Sequence, residues 1–329
     1  MKKTIKYILF SVVLIGLVSC QQISQTKTIK LAHGLDPSHP VHQAMVSMAD
    51  TLSAISQGKM KMEIYPSGQL GGEQQSVELL QIGSLALTKV SSAVLESFTS
   101  NYQVFGLPYI FRSREHYYNV LDGEVGQELL NSTQQYNIKG LCYYDAGARS
   151  YYTIDKDITH PNDLKGLKIR VMKSKTAMNM VSQMGGSPTP ISYGELYTAL
   201  QSGVVDGAEN NPPSFYTSRH YEVCKHYSLN EHTRVPDVLV MSVVVWNSLS
   251  EQEKQWVQHA ATVSVEVERQ LWAKAEENAL NKIKEAGVNI TYPDKKPFAD
   301  KVSSIFDSYQ SQPELYQLIQ RIQNVDKNE

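Results

Sequence analysis

Apolar and polar positions follow two rhythms along this chain. Residues 28–33, 60–65 and 85–90 are short runs of strand character. Between them lie stretches with apolar residues three and four apart. One runs from residue 41 to about 55, opened by Ser38-His39-Pro40 and stopped by Gly58; the other runs from 73 to 82 and ends at Gly83. Strand alternating with helix predicts a parallel sheet with helices on its faces. In such a sheet the loops after the strand C-termini face the ligand crevice. Residues 105–111 are apolar and read as core or crossover; helices are expected around 115–121 and 125–136, and a strand at 138–144. A second alternating unit follows: strands at 151–154 and 167–172, a helix at 178–184 closed by Gly185-Gly186, and a strand at 189–192. Ser192 and Glu195 have capping-box spacing, predicting a helix from 195 to about 202, and a strand is expected at 204–208.

Two longer patterns set the architecture. Residues 235–246 are almost all apolar, which predicts a buried strand. From the capping box Ser250…Glu253 the pattern stays helical to Gly287, which at about 1.5 Å per residue gives a helix of roughly 50 Å, longer than one domain. Its predicted buried face is Trp256, Ala260, Val263, Val267, Leu271, Ala275 and Ile283. No heptad holds, so a helix shared by two domains fits better than a coiled coil. A strand at 288–292 and helices at 297–310 and 313–323 close the chain.

The first residues stand apart. Lys2, Lys3 and Lys6 precede an apolar run at 7–18, too short to span a bilayer that needs about 20 residues. Residues 1–19 read as a secretory signal peptide. Leu17-Val18-Ser19-Cys20 resembles a lipobox, in which cleavage leaves a lipid-bearing Cys20; an ordinary signal with an incidental Cys is the alternative. Two or more acyl chains on Cys20 would anchor the chain, with residues 20–27 as a polar tether. Removing the three leader lysines takes the formal charge from −2 to −5. With no basic run, nucleic acid is excluded as a partner, and an anionic ligand needs a local positive site. Cys142 and Cys224 are far apart in sequence, and free thiols are favoured over a disulfide.

Candidate chemistry concentrates between residues 162 and 213. Arg170 sits among apolar residues in a strand-like run, where a planar guanidinium suits a carboxylate held by two parallel hydrogen bonds. Asn210 both donates and accepts, useful beside a carboxylate and a hydroxyl; a turn-forming Asn is the other reading. Glu73 follows two glycines. It either accepts hydrogen bonds from ligand hydroxyls or serves as a helix N-terminal Glu favoured by the dipole. His33 ends a strand at the expected cleft, as a ligand hydrogen-bonder or a satisfied surface His. His33, Asp36, His39 and His42 match no established zinc spacing, and no metal or cofactor is expected. There is no G-x-S-x-G, H-E-x-x-H or G-x-G-x-x-G, so no enzyme is expected, although paired carboxylates of glycosidase type stay open.

The blocks GLKIRVM and PTPISYGELYTALQSGVVDGAENNPP, in that order and spacing, resemble the substrate-binding proteins of tripartite ATP-independent periplasmic (TRAP) transporters. AENNPPS, with AGARSYYT upstream and EVCKHYSL downstream, is most similar to the branch that binds sugar acids. The resemblance covers the chain from about Lys27 onward. It implies an α/β, two-domain periplasmic binding protein fold, with hinge strands and one long helix spanning both domains. The expected domains are 28–147 with 236–270, and 148–235 with 271–329. It implies an extracytoplasmic protein that takes a uronate such as glucuronate or galacturonate and delivers it to membrane permease subunits; a monomer is expected, lipid-anchored on the strength of the lipobox. Carbohydrate-active enzymes and sensor-linked proteins for other organic acids are the alternatives. The resemblance also gives Arg149 a place in the cleft beside the acid, with a surface Arg as the other reading. It favours the ligand role for Glu73. Tyr193 falls where the family often carries an aromatic, and either closes over the ligand or belongs to the core.

Overall fold

The structure, a computed structural model, describes residues 26–326; the signal-peptide and Cys20 expectations lie outside the described residues. Two sheets carry the fold. The first has the order β2-β1-β3-β10-β4, with β1 at Lys27–Ala32, β2 at Met60–Tyr65, β3 at Leu87–Ser91, β4 at Ile138–Tyr144 and β10 at Asp237–Ser242. Strands β1, β2 and β3 are parallel, and β10 runs against both β3 and β4. The second sheet has the order β11-β9-β5-β8-β6-β7. It comprises β5 (Arg149–Thr153), β6 (Lys168–Val171), β7 (Ser187–Pro190), β8 (Gly207–Asn210), β9 (His226–Thr233) and β11 (Asn289–Thr291). Together with the long helix this is the two-domain periplasmic binding protein architecture.

The chain crosses between the sheets twice through short links, from β4 to β5 and from β9 to β10. The first link turns at Gly147, whose φ of +57° suits glycine; a Cβ there would lie 3.1 Å from Trp272 of the long helix. The Pro40–Ile55 helix opens at His39, whose Nδ1 accepts from Val41 N at 3.3 Å. The Glu251–Glu285 helix opens on the expected capping box, with both the Ser250 and Glu253 bonds made. It packs against Pro40–Ile55 and β4 from the first sheet and against Pro212–Thr217 from the second. That is how one helix comes to brace both lobes.

Several expectations shift. The buried stripe of the long helix is Val257, Ala260, Ala261, Ser264, Glu268, Trp272, Ala279 and Ile283. Trp256, Val263, Val267, Leu271 and Ala275 are only half-buried, because polar Ser264 and Glu268 take core positions that periodicity assigns to apolar neighbours. Glu268 Oε2 accepts from Asp145 N at 2.9 Å, so it holds the first crossing link to the helix. Residues 235–246 split into β10 and a helix at Val243–Asn247, because the Ser242 side chain caps Val245 N. No side-chain cap forms at Ser192: a 3-10 turn at Tyr193–Glu195 precedes the helix Leu196–Gln201. Strand β9 has no counterpart in the sequence reading, since four of its six buried residues, Ser228, Asn230, His232 and Thr233, are polar.

The C-terminal helix Pro313–Asn324 departs from the expected second domain. Arg321 pairs with Glu128, Arg112 donates to Gln323 O, and His116 contacts Ile322 O, so the helix lies on first-lobe helices. Its apolar face, Leu315, Leu318, Ile319 and Ile322, is buried in a core shared with Tyr117 and Leu129. Cys142 and Cys224 are free and buried.

Candidate binding site

A cavity of about 320 Å³ opens between the lobes, within the usual range for small-molecule sites. Its walls are the residues that follow strand C-termini: Gly34 after β1, Ser67 after β2, Met172 after β6, Ile191 after β7 and Asn211 after β8. Parallel strands with short loops make this arrangement, because their ends leave a crevice that helices do not fill.

Arg170 lies in β6 and is 2% exposed. Its Nε donates to Ile191 O at 2.8 Å. Its two terminal nitrogens have no protein partner among the described residues, and the side chain lines the cavity. Burial holds its pKa below the ordinary value, with nearby Arg149 adding to the effect and Tyr152 and Glu209 opposing it. Among the described residues no carboxylate bonds to this guanidinium. The fork is therefore charged, desolvated and aimed into space that a ligand can enter.

Arg149 also lines the cavity, but its guanidinium is largely committed. It grips the Glu209 carboxylate through Nε and through NH2 at 2.9 Å, and gives NH1 to Asn210 Oδ1 at 2.8 Å. Burial alone would raise the Glu209 pKa; Arg149 overcomes it and, with His232, holds it at about 2. The register of β5 against β8 sets Ser150 opposite Asn210, which brings Arg149 to Glu209. Gly207 permits this pairing, since a Cβ there would sit 2.4 Å from Tyr152 O. Asn210 Oδ1 also accepts from Asn211 N at 2.9 Å. The oxygen being used twice, Nδ2 of Asn210 is left as a donor at the cavity wall. Asn210 is thus a strand residue, not the turn residue of the other reading.

Glu73 lines the cavity and is already bonded: Lys89 Nζ donates to its Oε1 at 2.8 Å and Ser91 N to its Oε2 at 3.2 Å. Lys89 also donates to Asp237 Oδ1 at 3.2 Å. Burial pulls the Lys89 pKa down, but Asp237 and Glu73 together hold it above its usual value. Burial raises the Asp237 pKa; Lys89 opposes this and Glu73 adds to it.

Tyr193 lines the cavity from the second lobe, with its hydroxyl 3.4 Å from Ser214 O and its ring edge-on to His220. The ring also packs on the core behind the first sheet, so it bridges the lobes. His39 Nε2 meets Ser214 Oγ at 3.2 Å across the same gap. His33 does not line the cavity. Its Nδ1 accepts from Leu35 N at 3.1 Å and its Nε2 meets His42 Nδ1 at 2.9 Å, leaving neither nitrogen for a ligand. His33 is a satisfied residue behind the wall, correcting the ligand reading. Among the described residues, no group of three His, Cys, Asp or Glu side chains is placed to hold a metal ion.

Sequence reasoning thus reaches Arg170, Arg149, Asn210, Glu73 and Tyr193 at one cavity. It passes over Lys89, Asp237 and Glu209. A lysine inside the apolar run Leu85–Val90 is the overlooked signal, since a buried ammonium must find carboxylates.

Residues 31–312 match the DctP family, bacterial extracellular solute-binding proteins of family 7. The chain belongs to this family. It is a TRAP solute-binding protein and not an enzyme. As a DctP-family chain it is 40% identical to the uncharacterized protein YiiZ of Salmonella typhimurium, over 90% of each chain. A TRAP periplasmic solute-binding protein from a Bradyrhizobium species, solved with α/β-D-galacturonate, is 39% identical with a TM-score of 0.88, over 91% of this chain and 100% of that one. One from Anaerococcus prevotii, solved with α/β-D-glucuronate, is 36% identical with a TM-score of 0.89, over 92% of this chain and 99% of that one. The family supports a periplasmic location.

Three buried histidines make stability depend on pH. Burial holds His33 at about 2 and His39 and His220 at about 3, with Lys89 adding to the first two and Arg170 to the third. Their folded pKa values lie below the unfolded 6.5, so the unfolded chain takes up protons first as pH falls. Stability is full above pH 6.5 and is lost below it, by about 1.4 kcal/mol per pH unit for each histidine. Urea midpoints should drop steadily from pH 7 to pH 5, and His220→Gln should flatten the trend. Equal midpoints at the two pH values would contradict the burial of these rings as neutral groups.

Proposed function

We propose that this TRAP protein captures a hexuronate, of the glucuronate or galacturonate type, and delivers it to the permease subunits of its transporter. The observation that carries the reading is the buried Arg170 side chain lining the cavity, with no carboxylate on its guanidinium among the described residues. The carboxylate is held by that fork, with Asn210 Nδ2 as a second donor and Arg149 as a neighbouring cation fixed by Glu209. Glu73 meets ligand hydroxyls from the opposite lobe, and Tyr193 closes over the ring. The galacturonate and glucuronate found in the Bradyrhizobium and Anaerococcus relatives support the ligand class. Binding draws together residues 28–147 with 236–270, and 148–235 with 271–312, around the β4–β5 and β9–β10 links. The protein acts as a monomer tethered through a lipid on Cys20, supported by the Leu17-Val18-Ser19-Cys20 order.

Three measurements test the parts. In calorimetry with D-glucuronate, Arg170→Ala should cost about 2–5 kcal/mol, roughly 30- to several-thousand-fold, and Arg170→Lys should also weaken binding because the fork is lost. A folded Arg170→Ala protein that binds glucuronate as tightly as wild type would move the carboxylate elsewhere. Small-angle scattering should give a smaller radius of gyration with saturating glucuronate; an unchanged radius under tight binding would remove the closure. Mass spectrometry of the mature N-terminus should find a diacylated or triacylated Cys20, and an unmodified Gln21 or retained Lys2 would exclude the anchor.

A further inference from the structure

The Lys89 cluster is built with one carboxylate more than a buried lysine needs. Glu73 Oε1 and Asp237 Oδ1 both accept from Lys89 Nζ, and Glu73 Oε2 accepts from Ser91 N. Asp237 Oδ2 has no partner among the described residues, while the residue is only 7% exposed and lines the cavity. One carboxylate would neutralise the lysine. The second leaves the cluster with a net charge of −1 on the wall of a cavity that must admit an anion. That excess opposes uptake of any acid unless the ligand brings hydrogen-bond donors to the carboxylates.

We propose that Asp237, with Lys89 and Glu73, is the specificity-determining subsite that reads a pair of ligand hydroxyls and rejects acids lacking them. The inference rests on the uronate reading above and deepens it. The chemistry is complementary. A hydroxyl donates to Asp237 Oδ2, and its neighbour donates to a free lone pair of Glu73. Lys89 has one N–H beyond the two it gives to carboxylates, which serves a hydroxyl oxygen. Arg170 and Asn210 offer donors only, so the cavity carries a donor wall for a carboxylate and an acceptor wall for hydroxyls. A second carboxylate on the ligand would meet the negative wall, so a dicarboxylate of the same chain length is excluded by charge rather than by size. An apolar acid would leave Asp237 Oδ2 buried without a donor.

The position of Asp237 at the start of β10 adds a reason for its choice. It directly follows the β9–β10 link and pairs with Ser91 of β3 and Tyr144 of β4. A hydroxyl bound there is anchored to a strand, not to a loop.

The test is calorimetry on the whole mature protein with three probes: D-glucuronate, tetrahydropyran-2-carboxylate, which keeps the ring and acid but no hydroxyls, and D-glucarate. Wild type should bind glucuronate at least about 100-fold tighter than either other probe. Asp237→Asn should weaken glucuronate about 10- to 100-fold while binding of tetrahydropyran-2-carboxylate and glucarate is equal or tighter, because one negative charge is gone. Glu73→Gln, half-exposed at the first turn of its helix and keeping the Lys89 contact, should change preference in the same direction. An equal loss for all three probes in both variants would make the cluster a scaffold and overturn the proposal. So would unchanged glucuronate affinity. Wild-type binding of glucuronate that depends on Arg170 but not on Asp237 would overturn this inference and leave the uronate reading standing; no glucuronate binding by wild type would overturn both.

Discussion

A guanidinium buried without a carboxylate is the constraint from which the rest of the site follows. Arg170 sits in the middle of a parallel strand with its Nε tied to the Ile191 carbonyl, so the fork cannot swing away to water. Burying a charge in this way is costly unless something of opposite sign arrives. The fold keeps the residue pointed at a cavity, and the cavity is where a bound anion removes the cost. Binding and burial are then two descriptions of one arrangement.

The neighbouring charges show how the protein keeps that fork free. Glu209 lies close enough to act on Arg170, but it is held by Arg149 and approached by His232 at 3.5 Å. Arg149 thereby removes the competitor from Arg170. The price of a second buried cation is met by Glu209 itself. Across the cavity Lys89 does the same for Glu73 and Asp237, bringing carboxylates to the wall without leaving them repelling each other unbridged. Two ion clusters on two lobes thus meet at one space, each on strands whose register fixes it.

Much of this was legible in the chain, for reasons that differ by residue. The Arg170 side chain could be singled out because a charged residue inside an apolar strand must have a purpose. Lys89 obeys the same rule, but its carboxylates lie 16 and 148 residues away and only the folded sheet brings them to it. Glu209 and Asp237 become visible only through pairing, since β8 must meet β5, and β10 must meet β3, before their partners are near. His33 lies at a strand end as expected, yet His42, in the first turn of the Pro40–Ile55 helix, takes the nitrogen that a ligand would need. The long helix was readable in length and at Ala260 and Ile283, but not along the rest of its buried face, where Glu268 holds a crossing link and so displaces the apolar stripe. Periodicity reports which face is apolar; it does not report a buried carboxyl with a backbone partner. The C-terminal helix was readable as amphipathic, and only tertiary contacts reveal that it returns to the first lobe.

Charge on the ligand, not its shape, satisfies Arg170. The most direct measurement compares wild-type affinity for D-glucuronate and D-glucuronamide by calorimetry. The amide keeps the ring, the hydroxyls and nearly the same volume, and replaces the charged, acceptor-only carboxylate with a neutral group of one acceptor oxygen and an NH2 donor. The amide should bind about 30-fold or more weakly. Equal affinity for the two would mean that the buried guanidinium is not answered by the ligand's carboxylate.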